Sequence, residues 1–129
     1  MRVALLILLG LAIGVVGTAN VMSLLAQRNP MPTAIMHTMD YHMASLKQAV
    51  KAQHCDATQT ARHLLRLQST ATDILPVFGI HEKNFVDFAN RLQTHLQQAT
   101  LANPASCAAL ATALRPINQT CDDCHRQYR

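Results

Sequence analysis

The sequence predicts an all-α protein: an antiparallel four-helix bundle (residues 33–129) preceded by an N-terminal signal or membrane-anchor helix (residues 1–28). Three observations carry this. Apolar residues recur at spacings of three and four in four successive segments, the period of one helix face. The stretches "QRNPMPTA", "LPVFG" and Asn103-Pro104 punctuate the chain as breaks and connectors. No strand-like alternation, internal repeat or low-complexity tract interrupts the pattern.

The first 28 residues stand apart from the rest. Arg2 is the only early charge, Val3 to Val16 is unbroken apolar or glycine, and Gly17, Thr18 and Ala19 follow. A short basic start, an apolar middle and a small-residue end make up a secretory signal, with cleavage after Ala19 as one outcome. The other outcome is an uncleaved anchor. The apolar run continues through Val21, Met22, Leu24, Leu25 and Ala26, and Val3 to Ala26 as a helix would measure roughly 36 Å, enough to cross the hydrocarbon core. On either reading the chain beyond Arg28 is exported, either as a soluble periplasmic domain or as one held at the inner membrane by residues 3–26.

The bundle helices follow in order. The first spans about Thr33 to Ala52, with Met36, Met39, Met43, Leu46 and Val50 on its apolar seam. The second spans about Asp56 to Ile74, with Ala61, Leu64, Leu65, Ala71 and Leu75 as its apolar set and Asp56 or Thr58 as its cap. The third spans about His81 to Leu101 and is carried by Phe85, Phe88, Leu92, Leu96 and Ala99. The fourth spans Pro104 to about Tyr128, with Asn103 as N-cap and Pro104 at its first position. Its stripe is Cys107, Leu110, Leu114, Ile117, Cys121, Cys124 and Tyr128. Pro116 lies off the stripe, so a mild kink is expected there.

Composition narrows the function. The formal charge of +4 is modest and dispersed, so no basic cluster points to nucleic acid. Aromatics are 4% with no tryptophan, so a small exported domain needs another source of stability, which a large bound cofactor would supply. No Ser-His-Asp arrangement or paired carboxylate suggests hydrolysis, and the chain is not read as an enzyme. His54, His63, His81 and His95 share no metal-site spacing.

The ending "TCDDCHRQYR" carries the chemistry. Cys121, Cys124 and His125 form C-x-x-C-H, the attachment pattern of a c-type haem. Two thiols add across the vinyl groups of one porphyrin edge, and the adjacent histidine falls under the iron as an axial ligand. A zinc site would need two further ligands, and Cys55 and Cys107 are isolated in sequence. A thioredoxin-like dithiol belongs at a helix start in a βαβ setting, which is absent here. Cys55 precedes the second helix and Cys107 begins the fourth, so both fall at the bundle end remote from the motif, where an exported protein can join them in a disulfide.

With its terminal C-x-x-C-H and basic aromatic tail, the segment Thr33 to Arg129 resembles the class II cytochromes c, the cytochrome c-prime family. The resemblance implies a four-helix bundle with one covalent haem c at its open end, and it extends to the periplasmic four-helix cytochrome b. A second iron ligand is then expected from "MPTAIMHTMDYHM", whose candidates are Met31, Met36, His37, Met39, His42 and Met43. Met36, on the seam nearest the open end, aligns with the distal residue of the family, and Met39 is the next choice. His37 and His42 lie one position off the seam and are expected to face solvent, as are Asp122 and Asp123. Many relatives carry an arginine where this chain has Pro32, so propionate contacts fall to Arg129 or Arg28.

The expected function is a periplasm-facing mono-haem electron carrier with His125 and Met36 on the iron, serving redox partner proteins and compatible with a homodimer. A five-coordinate binder of nitric oxide or carbon monoxide is the alternative, and a haem-free structural or redox-sensing module is a third reading.

Overall fold

The structure, a computed structural model, describes residues 2–27 and 30–128. The described residues contain six helices and no strand: α1 (Arg2–Gln27), α2 (Met31–Lys51), α3 (Ala57–Ala71), α4 (Ile74–Phe78), α5 (Lys83–Ala102) and α6 (Cys107–Tyr128). Residues 1–30 form one compact unit and residues 31–129 another.

Within α1 two polar side chains, Thr18 and Asn20, turn back on the helix. The Thr18 hydroxyl donates to the Gly14 carbonyl and the Asn20 amide to the Val16 carbonyl, both at 2.7 Å. Such back-bonding hides polar groups inside an apolar helix. Over the described residues no helix is long and apolar enough to cross a membrane. Leu5, Leu6, Leu24, Leu25 and Ala26 of the Val3–Ala26 run have side chains outside the described set.

In the second unit five helices pack against one another. α2 contacts α3 and α6, α3 contacts α5, and α5 contacts α6, so the four long helices close a ring, with the short α4 against α2 and α5. Their buried side chains form one core that includes Leu46, Leu64, Leu67, Leu96, Leu110 and Ile117 with almost no exposure.

The helix ends follow local chemistry, and in three places they differ from the sequence expectation. Asp56 caps α3 by accepting from the Gln59 N–H at 2.8 Å. The expected single second helix divides after Ala71, and "LPVFG" is largely a helical turn, α4, ended by Gly79 in the left-handed conformation (φ 62°). Asn103 is not an N-cap. It closes α5 in the left-handed conformation (φ 41°), and Ser106 opens α6 by accepting from the Ala109 N–H at 3.2 Å. α2 begins two residues earlier than expected, with Pro32 inside its first turn, where its missing N–H costs nothing. α6 is assigned as one helix through Pro116.

The core faces are rotated slightly from the expected stripes. In α2 the buried positions are Ile35, Met39, Met43 and Leu46, while Met36 and Val50 are half-buried. In α3, Thr60 and Leu67 are buried and Leu65 is exposed, the reverse of the expectation for Leu65. In α5, Ala89 takes an inner place and Phe88 a half-buried one. Small residues take inner places here: Ala71, Ala89 and Ala99 are all buried.

A disulfide joins Cys55 and Cys107, with Cα atoms 5.3 Å apart across a sequence separation of 52. It ties the start of α3 to the start of α6. Chain-entropy arguments give a loop of this size about 4 kcal/mol. Reducing the bond, or replacing both cysteines with alanine, should therefore lower the urea unfolding midpoint in proportion. An unchanged midpoint would show that the unfolded chain is already constrained there.

Candidate functional site

The C-terminal turns of α6 carry the motif. At about 100° per residue, Cys121, Cys124, His125 and Tyr128 fall within an arc of roughly 100° on one side of the helix. Cys121, Cys124 and Tyr128 are half-buried against the core, and His125 at the edge of the arc is exposed. Thr120, which the sequence stripe omitted, is the buried residue at this level, its hydroxyl turned back to the Pro116 carbonyl at 2.9 Å. Both thiols are free, unlike the disulfide pair. The two cysteines and the histidine thus project from one helix face beside the core margin, a donor set that fits covalent attachment of one porphyrin edge with an axial imidazole.

α2 runs antiparallel to α6. The Cys107 sulfur approaches the Ala49 carbonyl at 4.0 Å, and Lys47 donates to the Asn118 side chain, so both contacts fall in the C-terminal part of α2. Asn118 in turn donates to Asp122 at 2.8 Å, linking α2 to the motif itself. On α2, Met36 is half-buried, Met39 and Met43 are buried in the core, and Met31 and His37 are exposed.

Aromatic rings close the α5 side of this end. Tyr128 packs edge-on to Phe85 with centroids 5.2 Å apart and lies 6.4 Å from Phe88, while Phe78 of α4 is 5.7 Å from Phe85. The Tyr128 hydroxyl is enclosed and makes no ordinary hydrogen bond among the described residues. Burial and the nearby Glu82 carboxylate push its pKa up.

Two sequence expectations on polar residues need correction. Asp122 is exposed as expected, but Asp123 is half-buried, held by Arg126 and by the Gln119 amide at 2.9 Å. Helical spacing of three and four brings these partners to it. His42 does not face solvent freely. It is half-buried, with Nδ1 2.9 Å from Nδ1 of His63 on α3. Arg28 and Arg129, the expected propionate contacts, lie outside the described residues.

The chain matches no protein-family model, no characterised protein and no solved structure.

The thiols themselves are held protonated. Burial, with Asp122 adding to it, raises Cys121 from 9.0 to about 11, and burial raises Cys124. A thiol is a weak nucleophile without its proton removed. In the haem-free folded chain, alkylation of Cys121 should therefore rise with a midpoint near pH 11 rather than near 9.0. The raised value also means that the folded state holds this proton where the unfolded chain has lost it. Stability from Cys121 is fully present below pH 9 and is lost between about pH 9 and 11, by about 2–3 kcal/mol. Urea unfolding across that window, compared with Cys121→Ser, checks both the sign and the size.

Proposed function

We propose that the protein is a periplasm-facing mono-haem c-type cytochrome that carries electrons, built as a four-helix bundle of α2, α3, α5 and α6 and similar to the class II cytochromes c. The observation that carries the reading is the clustering of Cys121, Cys124 and His125 on one face of α6 at the core margin. Cys121 and Cys124 would hold haem c through thioethers, one haem per chain, with His125 as one axial ligand. When bound, haem supplies reversible one-electron chemistry. Met36 is the proposed second ligand: it is half-buried against the core in the early part of α2. Its thioether is a soft donor suited to ferrous iron and raises the potential of a haem it ligates.

The N-terminal segment is read as a secretory signal or an inner-membrane anchor. The Cys55–Cys107 disulfide agrees with an oxidising compartment on either alternative. Redox proteins are the proposed partners, with arginine contacts from residue 129 or 28 to the haem propionates still part of the proposal.

The gas-binding reading draws on one observation of its own. Ile35, beside Met36, fills the buried position at the start of α2 and has no atom that can ligate iron. If an apolar side chain faced the distal side, the iron would be five-coordinate and open to nitric oxide or carbon monoxide.

Acid–organic extraction of the denatured protein should leave haem on the chain, and haem passing into the organic layer would exclude thioether attachment. Spectra then separate the two readings. The carrier should be low-spin in both oxidation states, and Met36→Ala should make it high-spin and open to carbon monoxide. Met39→Ala should keep the low-spin spectrum and lower stability by about 2–5 kcal/mol through loss of packing. A wild-type protein already high-spin and reactive with carbon monoxide would transfer support to the gas-binding reading.

A further inference from the structure

A second group of donors lies across α2 and α3 and takes no part in the proposed haem site. His42 and His63 meet Nδ1 to Nδ1 at 2.9 Å, with ring centroids 5.1 Å apart and planes at 62°. Tyr41, 63% exposed, lies beside both rings at 5.1 and 6.1 Å, so the pair opens toward solvent rather than into the core. α2 and α3 pack against each other, so the fold itself brings the pair together.

We propose that His42 and His63 form a two-imidazole site for a divalent first-row transition ion, with Cu(II) the preferred occupant. Two facing ring nitrogens at this distance leave room for one proton between them, one nitrogen donating and the other offering its lone pair. A metal ion competes for the same place. With metal–nitrogen bonds of about 2.0–2.1 Å, two ligands at right angles stand about 2.9 Å apart, whereas two tetrahedral ligands stand about 3.3 Å apart. The spacing thus suits a tetragonal ion without moving either helix. The rings, now head to head, need only tilt until their lone pairs converge. Tetragonal nitrogen coordination is characteristic of Cu(II) and Ni(II), and Cu(II) is the tighter binder of the two.

Burial, His63 and Arg66 all lower the pKa of His42, which favours the neutral form that ligates, while the Arg66 cation opposes a divalent ion by its charge. No third histidine, cysteine or carboxylate converges on the pair among the described residues, so water completes the coordination shell.

The test is a titration of the purified full-length protein, cleared of metal by chelator, with Cu(II) at neutral pH. Calorimetry should give one Cu(II) per chain with proton release, and electron paramagnetic resonance should give a tetragonal signal split by two nitrogens. His42→Gln and His63→Gln should each lower affinity by roughly tenfold or more and remove one nitrogen from the splitting. His54→Gln and His81→Gln should change neither. Circular dichroism identifies any variant that does not fold, and either histidine variant alone then decides. Absence of stoichiometric binding, or binding that survives His42→Gln and His63→Gln with its splitting intact, would overturn the proposal.

Discussion

The antiparallel pairing of α2 with α6 is the constraint on which the rest of the molecule depends. One helix begins with a run rich in methionine, and the other ends in two cysteines and a histidine. Only an antiparallel register brings those two ends together. Two contacts tie the C-terminal part of α2 to α6: Cys107 beside the Ala49 carbonyl, and Lys47 to Asn118, which in turn donates to Asp122. The disulfide adds a covalent limit, because Cys107 cannot slide along α2 while it is bonded to Cys55 at the start of α3.

Much of this was legible in the sequence, and the reasons for the rest are specific. Spacings of three and four mark all four long helices, and of the two cap candidates, Asp56 and Thr58, it is Asp56 that accepts the free N–H of Gln59. Asn103 was misread because asparagine serves two ends of a helix: it caps N-termini through its side chain and tolerates the left-handed backbone that closes C-termini. Nothing in the dipeptide Asn-Pro separates the two uses. Only the backbone, with φ at 41°, does. The α2 stripe shifted toward Ile35 for a similar reason. Met and Ile at adjacent positions fit an apolar face almost equally, and the choice between them is made by which neighbouring helices approach, not by α2 itself. The His42–His63 pair was beyond sequence reasoning, since it joins residues 21 apart on two helices with no local spacing to mark it.

The electrostatics of the motif and of the histidine pair work in opposite directions on their ligands. Burial at α6 keeps Cys121 and Cys124 protonated, which suppresses exchange and metal capture by free thiols near neutral pH. Burial at α2 keeps His42 unprotonated, which leaves its lone pair ready. The same desolvation penalises whichever form is charged: the thiolate in one case, the imidazolium in the other. One fold thus holds soft donors dormant at one place and a nitrogen donor available at another, without any dedicated counter-charge.

Burial also discriminates among the methionines of α2, and it does so against first intuition. Met39 and Met43 are the better core residues, each less than a tenth exposed. That argues against them as iron ligands. A thioether enclosed by packed side chains has its contacts already made, and bringing a porphyrin to it would open the core at a cost of several kcal/mol. Met36 is half-buried, anchored against the core on one side and free on the other. His125 is exposed, at one edge of the arc that also holds Cys121, Tyr128 and Cys124. A residue proposed to hold a large planar group is better placed at the margin of a core, where one face of the side chain is fixed and the other can be covered. By that criterion Met36 is a better proposed ligand than Met39 or Met43.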